Sequence, residues 1–167
     1  RYSYSSNEKK GLSNPVVGRT IEDKDGNLWI GTEGGGLNYY NRRTREFKWY
    51  RPQEGRNSIS HNNVKALYYD ADKEIIWIGT HLGGLNKLDI RSGHFTHYRM
   101  EEGNPATLPS DIIRDIIPYK SLLIVATQNG VCLFNPANGQ CQQLFKDSKE
   151  GKSIKMIADV TFDSEGT

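Results

Sequence analysis

Leu28-Trp29-Ile30-Gly31-Thr32, followed by Gly34-Gly35-Gly36-Leu37-Asn38, decides how the rest of this chain is read. The block returns as Ile76-Trp77-Ile78-Gly79-Thr80 with Gly83-Gly84-Leu85-Asn86. A worn copy stands at Ile124-Val125-Ala126-Thr127 with Gly130-Val131-Cys132. The threonines recur about every 48 residues, and self-similarity at a period of roughly 20–50 residues marks solenoids, propellers or arrays.

Around each block the same order of short strands and turns can be traced. Asp23-Lys24-Asp25-Gly26-Asn27 supplies the Asp-Gly that a tight hairpin needs, and Leu28 to Thr32 is a continuous apolar strand. Leu37 to Tyr40 and Glu46 to Tyr50 follow as third and fourth strands. The second unit repeats this through Val64–Tyr69, Ile75–Gly79, Leu85–Leu88 and His94–Tyr98, and the third through Ile112–Ile117, Leu122–Ala126, Val131–Phe134 and Gln140–Phe145. No segment carries helical periodicity. Four antiparallel strands per repeat are a propeller blade, so the fold expected is all-β, a partial β-propeller of about three complete blades plus flanking strands.

The repeats are expected at 14–50, 60–98 and 110–145 within one domain of 167 residues, with 1–5 a strand of a preceding blade and 154–167 the start of a fourth repeat. In Leu85-Asn86-Lys87-Leu88 the two leucines point to opposite faces, so each blade is apolar on both sides and neighbours must cover it. Trp29, Gly31, Thr32, Trp77, Gly79 and Thr80 are therefore read as structural repeat core.

Composition excludes several classes. A net charge of +2 and a pI near 8.5 are too mild to argue for nucleic acid or an anionic membrane, and Arg42, Arg43 and Arg45 fall in a turn. No apolar run approaches the roughly 18 residues of a membrane span. The chain opens on Arg1 and ends on a turn that elsewhere precedes the Trp strand, so it is read as a piece of something longer. Cys132 and Cys141 are too few for a disulfide scaffold or a zinc site. Symmetric closure of their hairpin sets Cys132 against Gln142 and Cys141 against Leu133, which argues against a bridge.

No catalytic constellation is expected. Asp23 to Asn27 lacks the Gly and Glu positions of a calcium loop, and the glycine run at 34–36 lacks the Lys-Ser/Thr of a phosphate loop. His94 and His97 lie an odd number of residues apart on one strand, while His61 and His81 lack a third ligand, so neither metal nor cofactor is expected. Glu33, His81 and Gln128 directly follow each repeat's threonine and vary while their surroundings repeat. With Arg19 and Arg114, on first strands that line a propeller's channel, they are the candidate ligand contacts. Arg19 and Arg114 have Asp115 and Glu22 as candidate partners.

The pattern Asp23, Gly26, Leu28 to Thr32, Gly35-Gly36-Leu37, Phe47 and Tyr50, repeated at Asp70, Ile76 to Thr80, Gly83 to Leu85, Phe95 and Tyr98, resembles the two-component regulator propeller repeat. The connections Asn57 to Val64 and Asn104 to Ile112 are similar to that family's inter-blade linker. The third repeat departs, with Val125 in place of Trp, Ala126 in place of Gly and one glycine of the pair lost, so its packing is expected to be less regular. The resemblance implies the periplasmic sensor region of a Bacteroidetes hybrid two-component system histidine kinase, anchored in the inner membrane by segments outside this chain. It also implies an oligosaccharide ligand, control of polysaccharide-utilisation genes, a homodimeric receptor and further blades of the same chain as partners. A secreted propeller enzyme, a lyase or glycosidase using His81, Glu33 or His61, is the alternative, with a non-signalling scaffold behind it.

Overall fold

The computed structural model describes residues 2–146; the expected fourth repeat, including Met156 to Phe162, lies outside the described residues. Twelve strands form three four-stranded sheets whose strands pair in chain order, every pair antiparallel. The first holds β1 (Val17–Glu22), β2 (Leu28–Thr32), β3 (Leu37–Asn41) and β4 (Glu46–Tyr50). The second holds β5 (Val64–Asp70), β6 (Ile75–Thr80), β7 (Leu85–Asp89) and β8 (Phe95–Tyr98). The third holds β9 (Ile113–Tyr119), β10 (Leu122–Thr127), β11 (Gly130–Asn135) and β12 (Gln140–Lys146). First strands lie side by side, β1 against β5 and β5 against β9, so the sheets stack as blades around one inner edge and form an open arc. Pro118 falls on β9, an edge strand, where a missing N–H costs the ladder nothing.

The core consists of what lies between blades. Trp29 packs with Ile59, Val64, Leu67, Ile76 and Ile78 between the first and second. Trp77 packs with Leu108, Ile113, Leu123, Val125 and Phe134 between the second and third. Alternation along a strand sends Ile76 and Ile78 one way and Trp77 the other, so one five-residue block fills two layers. Gly31 and Gly79 permit this: a Cβ at either would fall against Val64 or Ile113 on the next blade's first strand. Asp23 fastens each end of the first hairpin, accepting from Asn27 N at 2.9 Å and from Trp29 Nε1 at 3.1 Å. The Asp-Gly turn is thus a device that holds the tryptophan.

A polar clip ties each linker to its blade. Ser13 N donates to Asn38 Oδ1 at 2.8 Å, Asn38 Nδ2 returns a bond to Ser13 Oγ at 2.6 Å, and Ser13 Oγ donates to Gly35 O at 2.9 Å. Ser60, Asn86 and Gly83 repeat it at 2.9, 2.7 and 2.8 Å. The next residue fixes the alignment, because Asn14, His61 and Ser110 each accept a bond from the backbone N–H two residues on. Pro109 therefore occupies the serine's place in the third blade. Cys132, opposite Val125 as Asn38 is opposite Ile30, occupies the asparagine's. Both partners of the clip are replaced together, which leaves no orphaned buried donor.

The third blade corrects two expectations. Thr127 aligns with Thr32 and Thr80, so Ile124 stands where the tryptophans stand, and Val125 does not. Val125 faces the second blade beside Leu123, while Ile124 faces away with Ala126 and Val131, and all four strands form. The cysteine register also differs. The hairpin closes over a four-residue turn, Pro136 to Gly139, with Asn135 opposite Gln140, which places Cys132 opposite Gln143 and Cys141 opposite Phe134. That register turns both thiols to one face, where the free, buried Sγ atoms approach to 2.9 Å.

Residues 2–5 do not form the strand expected there. The chain doubles back through a short 3-10 turn at Glu8–Lys10, leaving only a parallel bridge between Tyr4 and Leu12. Tyr2 then covers Tyr40 and Phe47, with ring centroids 4.7 and 5.8 Å away, and Trp49 Nε1 donates to Gly11 O at 2.8 Å. This segment caps the outer face of the first blade.

The turns after Thr32 and Thr80 are built alike. Thr32 Oγ1 and Thr80 Oγ1 donate to Gly36 O and Gly84 O at 2.8 and 3.0 Å. Gly36 and Gly84 have φ of 79° and 71°, and a Cβ there would strike the carbonyl of Tyr50 or Tyr98. Gly34, with φ 100°, is matched in the second blade by Leu82, with φ 118° and an exposed side chain. A leucine is strained in that region.

Three outcomes follow from this packing. Asn86→Ala strands the Ser60 N–H and lowers stability by about 1–3 kcal/mol in urea unfolding. Leu82→Gly relieves the backbone and raises stability by about 1 kcal/mol in the same assay. Burial, with a smaller contribution from the Glu8 carboxylate, pushes the Tyr50 hydroxyl up from 10.0 to about 12. The folded chain thus holds this proton where the unfolded chain has released it. Tyr50's contribution is fully present below pH 10 and is lost as the pH rises through about 12. Tyr50→Phe is expected to flatten that alkaline decline in a pH series of urea midpoints.

Candidate functional site

Glu33, His81 and Gln128 lie at the same place in successive blades, immediately past β2, β6 and β10. Each backbone N–H donates to the residue that precedes its own blade's first strand: Val16 O at 3.0 Å, Asn63 O at 2.9 Å and Ile112 O at 2.9 Å. Glu33 also bridges to Asn63 and His81 to Ile112, each in the connection leading into the next blade. The backbone at these positions is thereby fixed, while the side chains of Glu33 and Gln128 are exposed and that of His81 is half-buried.

Neighbouring charges join these positions to the inner strands. Lys65, on β5, holds Glu33 Oε1 at 2.6 Å. Arg19 reaches from β1 to Asp115 on β9 at 3.4 Å, and Glu22 is taken by Arg42 at 3.0 Å. Of the two partners the sequence offered, Arg19 therefore takes Asp115. Arg114, beside Asp115, is exposed on β9. The five candidates thus fall into two connected groups, Glu33 with Lys65 and Arg19 with Asp115 next to Arg114, and a row of turns carrying His81 and Gln128.

His61 stands near His81, and burial first, then the positive charge that His81 can carry, hold its pKa below the ordinary imidazole value. His61 Nδ1 accepts from Asn63 N at 3.0 Å, which fixes the ring in the linker. Asn63 Oδ1 is a buried side-chain acceptor with no hydrogen-bond partner. Arg99 donates to Leu82 O at 3.4 Å and lies 3.8 Å from Asp111 Oδ2, tying the strained turn to the linker. An open cleft of ≈ 490 Å³ runs beside the second linker, lined by Met100, Glu101, Pro105, Leu108, Asn129 and Gln143. Among the described residues no three His, Cys, Asp or Glu side chains gather as metal ligands.

This arrangement offers alternating cationic donors and carboxylate or amide acceptors on an exposed face. It suits recognition of a polar ligand by many hydrogen bonds. Reasoning from sequence missed Lys65, Leu82 and Asn63. Leu82 carried a legible signal, a leucine where the first repeat has Gly34. Lys65 carried none, because its partner Glu33 is 32 residues away.

Comparison with known proteins agrees with this architecture. Residues 11–34 and 58–81 match the family described as the two component regulator propeller. The extracellular domain of the proposed hybrid two component system BT3049 of B. thetaiotaomicron is 28% identical, with a TM-score of 0.73 over 83% of this chain and 19% of that one. The corresponding domain of BT4673 from the same organism is 26% identical, with a TM-score of 0.65 over 85% of this chain and 20% of that one. PorZ, a surface component of the type-IX secretion system of Porphyromonas gingivalis, is 19% identical with a TM-score of 0.62, covering 90% and 23% of the two chains, a likeness of fold alone. No curated protein matches the sequence significantly. The chain spans about a fifth of the length of the solved B. thetaiotaomicron structures it matches. The first two repeats are thus similar to two component regulator propeller repeats over residues 11–34 and 58–81.

Proposed function

We propose that this chain is part of the extracytoplasmic, ligand-sensing propeller of a hybrid two-component sensor histidine kinase. One observation carries the reading: 28% identity across 83% of the chain to the extracellular domain of a proposed hybrid two component system. The ligand class is an oligosaccharide, whose many hydroxyls match a face that presents both donors, Arg19, Lys65 and Arg114, and acceptors, Glu33, Asp115 and Gln128. The chain itself is a binding element and catalyses nothing; catalysis belongs to a kinase elsewhere in the protein. Membrane anchoring and a homodimeric receptor are parts of the same proposal. The ligand acts by binding two receptor states unequally, and its differential affinity sets how far the kinase is shifted toward control of polysaccharide-utilisation genes.

The test is calorimetric titration of an oligosaccharide panel into the complete ectodomain that carries this segment. Binding by one glycan class is expected, with Glu33→Ala and Arg19→Ala each weakening it about tenfold, or roughly 1.4 kcal/mol. Both variants should melt as the parent does, since exposed ion pairs add little stability. Cleavage of the glycans would overturn the sensor reading in favour of an enzyme. Silence across the panel would favour a protein-binding scaffold.

A further inference from the structure

The cysteine pair occupies a place in the repeat that calls for a cross-link. Cys132 stands at the position of Asn38 and Asn86. Cys141, opposite Phe134, stands at the position of Phe47, opposite Tyr40, and Phe95, opposite Leu88. Two positions that hold a clip residue and an aromatic in the first two blades hold cysteine together in the third, where Pro109 has removed the clip's other half. The register set by the Pro136 to Gly139 turn brings the two side chains to one face of the β11–β12 hairpin. The Sγ atoms are 2.9 Å apart, inside ordinary sulfur contact and about 0.9 Å beyond a covalent bond. Both are buried between the second and third blades under Trp77, Leu108 and Phe134.

We propose that Cys132 and Cys141 are a disulfide-forming pair that staples β11 to β12 in place of the lost Ser–Asn clip. The oxidant is another disulfide, and the inference rests on the extracytoplasmic reading only for where the protein meets one. One cysteine thiolate attacks the oxidant's sulfur, forming a mixed disulfide and releasing one thiol. The second thiolate attacks the first cysteine's sulfur, closing the bond and releasing the other thiol. Two electrons pass to the oxidant, and the two cysteine protons end on its thiols. The exchange belongs to folding. In the closed structure the hydrogen bond to Cys141, and then burial, raise the Cys132 thiol far above its ordinary pKa, so a closed dithiol exchanges slowly.

A two-cysteine chain can oxidise without any help from its fold, so the decisive quantity is how far folding favours the bond. The wild-type 167-residue chain is equilibrated in glutathione buffers of graded ratio, once under native conditions and once in urea, from reduced and from oxidised starting material. Acid quench, alkylation and peptide mapping then give the disulfide fraction. The expected equilibrium constant for the Cys132–Cys141 bond is at least about tenfold larger folded than in urea, and by linkage the oxidised chain unfolds at higher urea. An equal or smaller constant when folded, mixed glutathione adducts, or bonds between chains would each overturn the proposal. If the chain does not refold, mapping after its export to a bacterial periplasm decides instead: an intact linked pair supports it and two free thiols refute it. Because no glycan is involved, failure here leaves the sensor reading standing, and failure of that reading leaves this measurement valid.

Discussion

A four-stranded sheet that is apolar on both faces cannot exist alone in water, and everything else in this chain follows from that constraint. Trp29 and Trp77 are 2% and 1% exposed because each is closed over by the next blade's first strand and preceding linker. Burial of an aromatic of this size contributes on the order of 1.5–3 kcal/mol. The contribution depends on close approach, and close approach depends on Gly31 and Gly79. Stability is thus a property of interfaces between blades, and among the described residues the second blade contributes half of two of them.

Linkers are polar, yet they run beside these apolar layers. Their backbone groups must be satisfied there, and the Ser–Asn clip with the threonine-capped glycine turn does this in the first two blades. In the third, Pro109 offers no N–H, and an asparagine at position 132 would face it with an unmet carbonyl. Replacing both members is a coherent change. It also frees one interior position, which Cys132 fills, while Cys141 stands where the first two blades carry Phe47 and Phe95.

Much of this was legible in the sequence, because the frame repeats and the physics of a repeat is counted twice. Strand order, blade boundaries and the structural part of Trp29, Thr32, Trp77 and Thr80 were readable from spacing. Register in the third blade was misread at the tryptophan's place: Ile124 and Val125 are equally apolar, and the three-residue spacing to Thr127, together with pairing to Leu133 and Cys132, tells them apart. The cysteine contact depended on the hairpin closing over Pro136 to Gly139, one residue away from the symmetric closure that the turn residues suggested. Of the candidate site, the turn positions were visible as variation against repetition. Asp115 was one of two partners offered for Arg19, but Lys65 was invisible because it meets Glu33 only across blades, 32 residues away.

Positions 33, 81 and 128 vary for a physical reason. Their backbone N–H groups carry a bond whose acceptor is another backbone carbonyl, so the structural duty is met by any residue with an N–H. The side chain, turned away from both apolar layers, is released from packing. A fixed main chain with an unconstrained side chain is what a recognition surface requires, since a ligand contact is then held in place without stabilising the fold and can change without harming it. Leu82 departs from this economy. It takes a conformation that glycine holds freely one blade earlier and leaves an apolar side chain in water beside His81, so its cost is borne without any return in packing.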